Sequence, residues 1–181
     1  MKNEGHYRLS DLLSEIGEEK VKSLLSTFRC TADADAEYFL KSRSIVHDTN
    51  NVSKTYIMLD SKPEGAVVKG YYTLAIKCLA ADENCNISRG LQKRMNVSNG
   101  IAQAYLLGQL AKADGVEKGF GKTMINLALN TFGKGRDLFG CQSVRLDCKD
   151  EPKLVEYYTS CGFEHIRKDD ERGLSQMVII I

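Results

Sequence analysis

The sequence predicts an α+β fold: a mixed β-sheet of six to seven strands flanked by helices, with one parallel step near its middle. Three observations predict it. Two apolar stretches, Thr55–Leu59 and Val67–Leu79, flank the turn residues Lys62-Pro63-Glu64-Gly65 and read as an antiparallel hairpin. From Ile101 onward the pattern alternates strand, helix, strand, helix, strand. At the first of those junctions a glycine-bearing turn, Gly115 to Gly121, joins a strand to a helix.

Element by element, Leu9, Leu12, Leu13 and Ile16 recur at helical spacing, and Gly17 supplies a stop. The next apolar group, Val21, Leu24, Leu25 and Phe28, fits a helix or a strand. Residues 1–27 are expected to be a helical segment of a single domain spanning 1–181. Thr31 precedes Asp33, Asp35 and Glu37, carboxylates placed where the helix dipole favours them, so a helix is expected to open at Thr31. Asp82 to Gly100 is polar and irregular, with room for one helical turn. Ile101 to Leu110 reads as a strand, and Lys122 to Phe132 as a helix with Ile125, Leu129 and Phe132 on one face. Ser143 to Cys148 is a strand. Asp150-Glu151-Pro152 opens a helix carrying Leu154, Tyr157, Tyr158 and Cys161 on one face, which Gly162 ends. Phe163–Ile166 and Ser175–Ile181 complete the sheet.

Composition excludes several classes. At 181 residues and 43% hydrophobic, the chain can bury the core of one domain. Its 25 basic residues nearly balance 24 acidic ones, and a net charge of +1 selects neither nucleic acid nor membrane. The stretch from Met1 to Ser10 is polar, and no apolar run approaches the roughly 20 residues that span a bilayer. A cytoplasmic protein with no membrane partner is expected, in which the Asn-x-Ser sequons at Asn51, Asn86 and Asn96 are idle. The six cysteines are scattered, with neither a CxxC pair nor grouped histidines, so no metal is expected and the thiols read as small buried hydrophobes.

The segment Gly115-Val116-Glu117-Lys118-Gly119-Phe120-Gly121-Lys122-Thr123 is the sharpest feature. Glycines let successive backbone N–H groups face one point, and the helix that follows adds its positive end, an arrangement that receives phosphate. A nucleotide-binding Walker loop needs four residues between its first glycine and Gly-Lys-Thr. Five stand between Gly115 and Gly121, and the required position holds Val116. A glycine turn without any ligand is the plain alternative. Tyr158 offers a phenolic proton on the helix after the next strand, or it is simply a core tyrosine.

Together, Gly119-Phe120-Gly121 and the run from Tyr158 to Gly162-Phe163 resemble the GNAT N-acetyltransferase superfamily. Gly70-Tyr71-Tyr72-Thr73-Leu74 looks like that family's third strand, and Leu107-Gly108-Gln109-Leu110-Ala111 like its fourth. Phe28-Arg29-Cys30, Ser53-Lys54-Thr55 and the run from Leu146 to Glu151, followed by Tyr157-Tyr158, are similar to a compact bacterial branch that includes toxin-like acetyltransferases. Two departures stand out. Val116 replaces the usual Arg or Gln, and Lys112 the usual valine.

The resemblance implies acetyl-CoA as co-substrate, lying between the fourth and fifth strands. Its pantetheine would pair with backbone at Leu110, Ala111 and Lys112. Its pyrophosphate would meet the amides of Glu117, Lys118, Gly119, Phe120, Gly121 and Lys122, with the Lys118, Lys122 and Thr123 side chains alongside. Tyr158 would protonate the leaving thiolate. The acceptor would be an amine on a small molecule, a protein or an aminoacyl-tRNA, and a homodimer is compatible with the family. For a tRNA acceptor, Arg89, Lys93, Arg94, Lys112, Lys118 and Lys122 would form the basic surface. The fourth strand carries Gln103, Tyr105 and Gln109 but no carboxylate to serve as base, which leaves a non-catalytic CoA-binding module as a third reading.

Overall fold

A computed structural model describes residues 4–82 and 85–181, so Glu83 and Asn84 of the expected Asp82–Gly100 loop lie outside the described residues. The strands are β1 (Glu4–Arg8), β2 (Lys54–Lys62), β3 (Gly65–Ile76), β4 (Leu79–Ala80), β5 (Ile101–Ala102), β6 (Tyr105–Lys112), β7 (Ser143–Lys149), β8 (Glu164–Asp169) and β9 (Leu174–Ile180). The helices are α1 (Leu9–Ile16), α2 (Glu18–Ser26), α3 (Ala34–Ser42), α4 (Ser44–Thr49), α5 (Arg89–Arg94), α6 (Phe120–Phe139) and α7 (Pro152–Ser160). Seven strands form one mixed sheet in the order β1-β2-β3-β6-β7-β9-β8, and β4 pairs with β5 apart from it. The chain divides into two compact units, 1–75 with 109–125 and 76–108 with 126–181.

In the first unit β1, β2 and β3 form an antiparallel meander. Val21 and Leu25 are buried in α2, so the ambiguous apolar group is helical in place. Its core centres on Tyr71, fully buried, whose hydroxyl donates to the Ala36 carbonyl at 2.7 Å and whose ring meets Phe28 edge-on at 5.5 Å. The expected start of α3 is corrected: Asp33, not Thr31, is the cap, accepting the Ala36 N–H. Two elements are additions. The segment 1–27, expected to be helical, opens with strand β1, an edge strand whose largely exposed residues carry no apolar alternation. Helix α4 is held by Asp48, 2% exposed, whose carboxylate accepts the Thr55 N–H at 2.7 Å.

The second unit contains the parallel step. Strand β6 pairs with β7 through Tyr105–Val144 and Leu106–Arg145. Strand β9 lies antiparallel to both β7 and β8. The stretch Ile101–Leu110, expected as one strand, breaks at Gln103 and Ala104, because β5 turns away to pair with β4. For the same reason β3 stops at Ile76, short of the expected Leu79, which starts β4. Helix α6 begins two residues before the expected Lys122 and ends seven after Phe132. Its last residues, Leu138 and Phe139, are exposed and give no burial pattern to read.

One glycine controls how closely the first unit's elements approach. A Cβ at Gly70 on β3 would stand 2.9 Å from the Met124 sulfur, 3.0 Å from the Ala111 carbonyl and 3.0 Å from the Phe120 ring. The end of β6 and the start of α6 therefore settle on β3 only because position 70 has no side chain. Overpacking a dense site costs typically ~1–3 kcal/mol. Gly70→Val should lower unfolding free energy by about that amount in urea titration; unchanged stability would show that the contact yields freely.

Candidate functional site

The glycine turn lies wholly in the first unit, between β6 and α6. Its entry is pinned on both sides. The Ala113 N–H donates to the Lys69 carbonyl at 2.8 Å, and the Asp114 N–H to the Arg29 carbonyl at 2.8 Å. The Asp114 carboxylate in turn accepts the Thr31 N–H at 3.0 Å and its hydroxyl at 3.1 Å, which is the role Thr31 has in place of capping α3. Gly119, with φ +90, adopts a conformation that L side chains resist. Its carbonyl accepts the N–H groups of Lys122 at 3.0 Å and Thr123 at 3.3 Å, so α6 starts there.

This start decides which amides are offered. The Lys122 N–H, expected to face a phosphate, is occupied by the Gly119 carbonyl. Phe120 and Gly121 lie ahead of it in the first turn of a helix, where backbone N–H groups have no intrahelical partner. The side chains of Lys118, Lys122 and Thr123 are exposed around them, whereas Phe120 is buried. Leu110 is half-buried and Ala111 buried at the end of β6. The Gln109 N–H, one residue earlier, donates to the Thr73 hydroxyl on β3 at 2.8 Å.

Three side chains form a brace that sequence reasoning did not anticipate. The Lys112 ammonium donates to the carbonyls of Val116 at 2.5 Å and Glu117 at 3.2 Å. The Glu117 carboxylate accepts from Lys69 at 2.9 Å, and the Lys69 ammonium stands 4.5 Å from the centroid of the Phe120 ring. Lys69 is 9% exposed, a cation in the apolar run of β3. That interruption of Val67-Val68 before Gly70-Tyr71-Tyr72 was the available signal.

Tyr158 belongs to the second unit. Its ring and that of Tyr157 are both half-buried on α7, with centroids 5.2 Å apart. Tyr158 also meets buried Phe163 edge-on at 6.0 Å, and the Phe163 N–H donates to its carbonyl at 3.1 Å. Burial, helped by nearby Cys161, pushes the Tyr157 phenol up to about 12, making it a weaker acid than an ordinary tyrosine. A carboxylate outside the strand considered from sequence also stands in this unit. Asp147 lies on β7 two residues past the last β6–β7 pair, bound by the Arg145 guanidinium at 2.7 and 2.8 Å and by Gln176 at 3.1 Å.

The seven-strand order with one short parallel pairing, and a glycine turn opening the helix that follows β6, define a GNAT-like α+β fold. Solved structures share it. AtaT complexed with acetyl-methionyl-tRNAfMet superposes with a TM-score of 0.76, covering 98% of this chain and 95% of that chain at 22% identity. A tyrosine-to-phenylalanine mutant of KacT gives a TM-score of 0.77, covering 99% of this chain and 95% of that chain at 16% identity. A tyrosine-to-phenylalanine mutant of the AtaT toxin, bound to the C-terminus of the antitoxin AtaR and acetyl-CoA, gives 0.72, covering 98% of this chain and 93% of that chain at 19% identity. At these identities what is shared is the fold. No family model matches the chain, and neither does any curated protein.

Among the described residues, no helix is long and apolar enough to cross a membrane, and no group of three or more His, Cys, Asp or Glu residues could hold a metal ion. The cysteines differ sharply in environment. Burial, with Asp147 and Asp150 nearby, pushes the Cys148 thiol up to about 11, and burial also raises that of Cys30. Cys78 is exposed. Reaction with a thiol reagent at pH 8 should label Cys78 first in the native protein, and Cys30 and Cys148 only after unfolding, since the thiolate is the reactive form. Rapid native labelling of Cys148, read by peptide mass mapping, would contradict this assignment.

Proposed function

We propose that the chain is an acetyl-CoA-dependent N-acetyltransferase that acts on a primary amine. The observation that carries this reading is the pinned glycine turn at the head of α6. It offers backbone N–H groups and a helix N-terminus to a pyrophosphate, on a fold shared with an acetyl-CoA complex of AtaT. Amides from Glu117 to Gly121 would hold the pyrophosphate, and the β6 backbone at Leu110, Ala111 and Lys112 the pantetheine. The amine attacks the thioester carbonyl, a backbone N–H near Leu110 supports the oxyanion, and the C–S bond breaks as Tyr158 gives its proton to the thiolate. The acceptor must shed a proton to attack. Asp147 is engaged by Arg145 and Gln176, so solvent or the acceptor's own low pKa meets that need.

That last point favours a second, narrower reading: a toxin-type enzyme acting on the α-amine of aminoacyl-tRNA. An α-amine titrates near ~8 and a lysine side chain near ~10.4, so the former is more readily neutral. The shared fold of AtaT complexed with acetyl-methionyl-tRNAfMet supports it. So does α5, where Arg89, Lys93 and Arg94 are exposed while Leu91 is buried. A tRNA acceptor would set the reaction in the cytoplasm. The AtaT–AtaR complex makes an antitoxin a candidate partner.

The test is an acceptor screen with thiol detection, spanning small amines, peptides and charged tRNA. Acetyl-CoA-dependent thiol release with one of them is expected. CoA binding without turnover on any acceptor would instead indicate a non-catalytic CoA-binding module. With a working acceptor, Tyr158→Phe should reduce turnover by ~10²–10⁴-fold with acetyl-CoA affinity little changed. Tyr157→Phe should do less, and a larger loss at Tyr157 would transfer the role to it.

A further inference from the structure

The turn departs from the family pattern at Val116, which provides no side-chain contact to a phosphate, yet the loop holds a cation of its own on its far side. Lys112, at the last residue of β6, reaches across the turn. Its ammonium donates to two consecutive carbonyls, Val116 at 2.5 Å and Glu117 at 3.2 Å. Every peptide bond here is trans, and in a trans peptide plane the N–H points opposite to the C=O. Drawing the carbonyls of residues 116 and 117 toward Lys112 therefore directs the next two N–H groups, of Glu117 and Lys118, to the opposite side. Two successive amides facing one way form an anion-binding concavity.

We infer that Lys112 is a positioning residue for CoA: its side chain orients the Glu117 and Lys118 amides toward the pyrophosphate, at a turn where Val116 stands in place of the usual Arg or Gln. The inference rests on the reading of this turn as the CoA site. A second contact works in the same direction. The Glu117 carboxylate, which would repel a pyrophosphate, is drawn to Lys69 at 2.9 Å. Lys69 is in turn fixed by burial and by the Phe120 ring, 4.5 Å from its ammonium. One lysine turns the backbone donors outward while the other restrains the Glu117 carboxylate.

The experiment compares wild type, Lys112→Met, Lys112→Arg and the double variant Lys112→Met with Val116→Arg. Calorimetry measures CoA binding, and NMR titration measures binding of pantetheine, which reaches β6 but has no pyrophosphate. Hydrogen bonds to charged groups translate into about 10- to 100-fold in affinity, the loss expected for CoA in Lys112→Met. Lys112→Arg should retain most of the affinity, and Val116→Arg should restore part of what Lys112→Met loses. Pantetheine, which would meet position 112 only through its backbone, should bind equally to all four, a selectivity that general damage to the strand end would not produce. Unchanged CoA affinity in Lys112→Met would overturn the inference, as would parallel loss of CoA and pantetheine. A wild-type chain that binds no CoA would remove the reading of the site itself, and the role of Lys112 with it.

Discussion

Close approach at Gly70 is the constraint on which the site's geometry depends. Strand β3 receives both the end of β6 and the first turn of α6, with the Ala111 carbonyl and the Phe120 ring where a side chain would otherwise stand. The next residue back, Lys69, offers its carbonyl to Ala113 and its ammonium to Glu117. The turn is thus suspended between two rigid elements and fastened to β3 at either end. A loop held this way presents its amides without first having to be ordered, the condition under which backbone donors bind an anion strongly.

Those fastenings also explain how the departures from the GNAT pattern that the sequence resembles are accommodated. A lysine at the end of a half-buried strand would ordinarily extend to solvent. Lys112 instead turns back onto carbonyls that the glycine turn leaves exposed. On the inference above, the polar support that an arginine or glutamine at position 116 would give from within the loop comes from Lys112 behind it. Tyr158, in the other unit, is shaped by a different local rule. The sharp end of α7 brings Phe163 back against the tyrosine ring and the Phe163 amide onto its carbonyl, fixing both backbone and ring.

Much of this architecture was legible in the sequence, where local pattern and tertiary role agree. The β2–β3 hairpin showed in Pro63 and Gly65 between apolar runs, the parallel step in the alternation after Ile101, and the turn in its glycines. What was not legible depends on contacts distant in sequence. Strand β1 is defined by pairing with β2 some fifty residues away, from His6 to Met58 for instance, and carries no pattern of its own. Helix α4 depends on a nearer contact that has no apolar pattern to reveal it, Asp48 satisfying the Thr55 amide. Thr31 looked like a helix cap because nothing local reveals that Asp114 claims it. Within the site, glycine spacing pointed to the turn. The lysines that brace it were visible only as two anomalies, a cation in an apolar strand and a cation where the family has valine.

The central claim is that this turn receives the pyrophosphate of coenzyme A, and Gly121 tests it most directly. It lies in the first turn of α6 beside the offered amides, where a carboxylate would oppose an anion; position 121 shares a helical face with buried Met124 and Ala128, so the fold of the variant is checked together with its binding. Calorimetric titration of CoA into wild type and Gly121→Glu, with circular dichroism confirming that the variant is folded, separates the outcomes. The account predicts saturable binding to wild type and none to the variant. Equal affinity in the two folded proteins would contradict it.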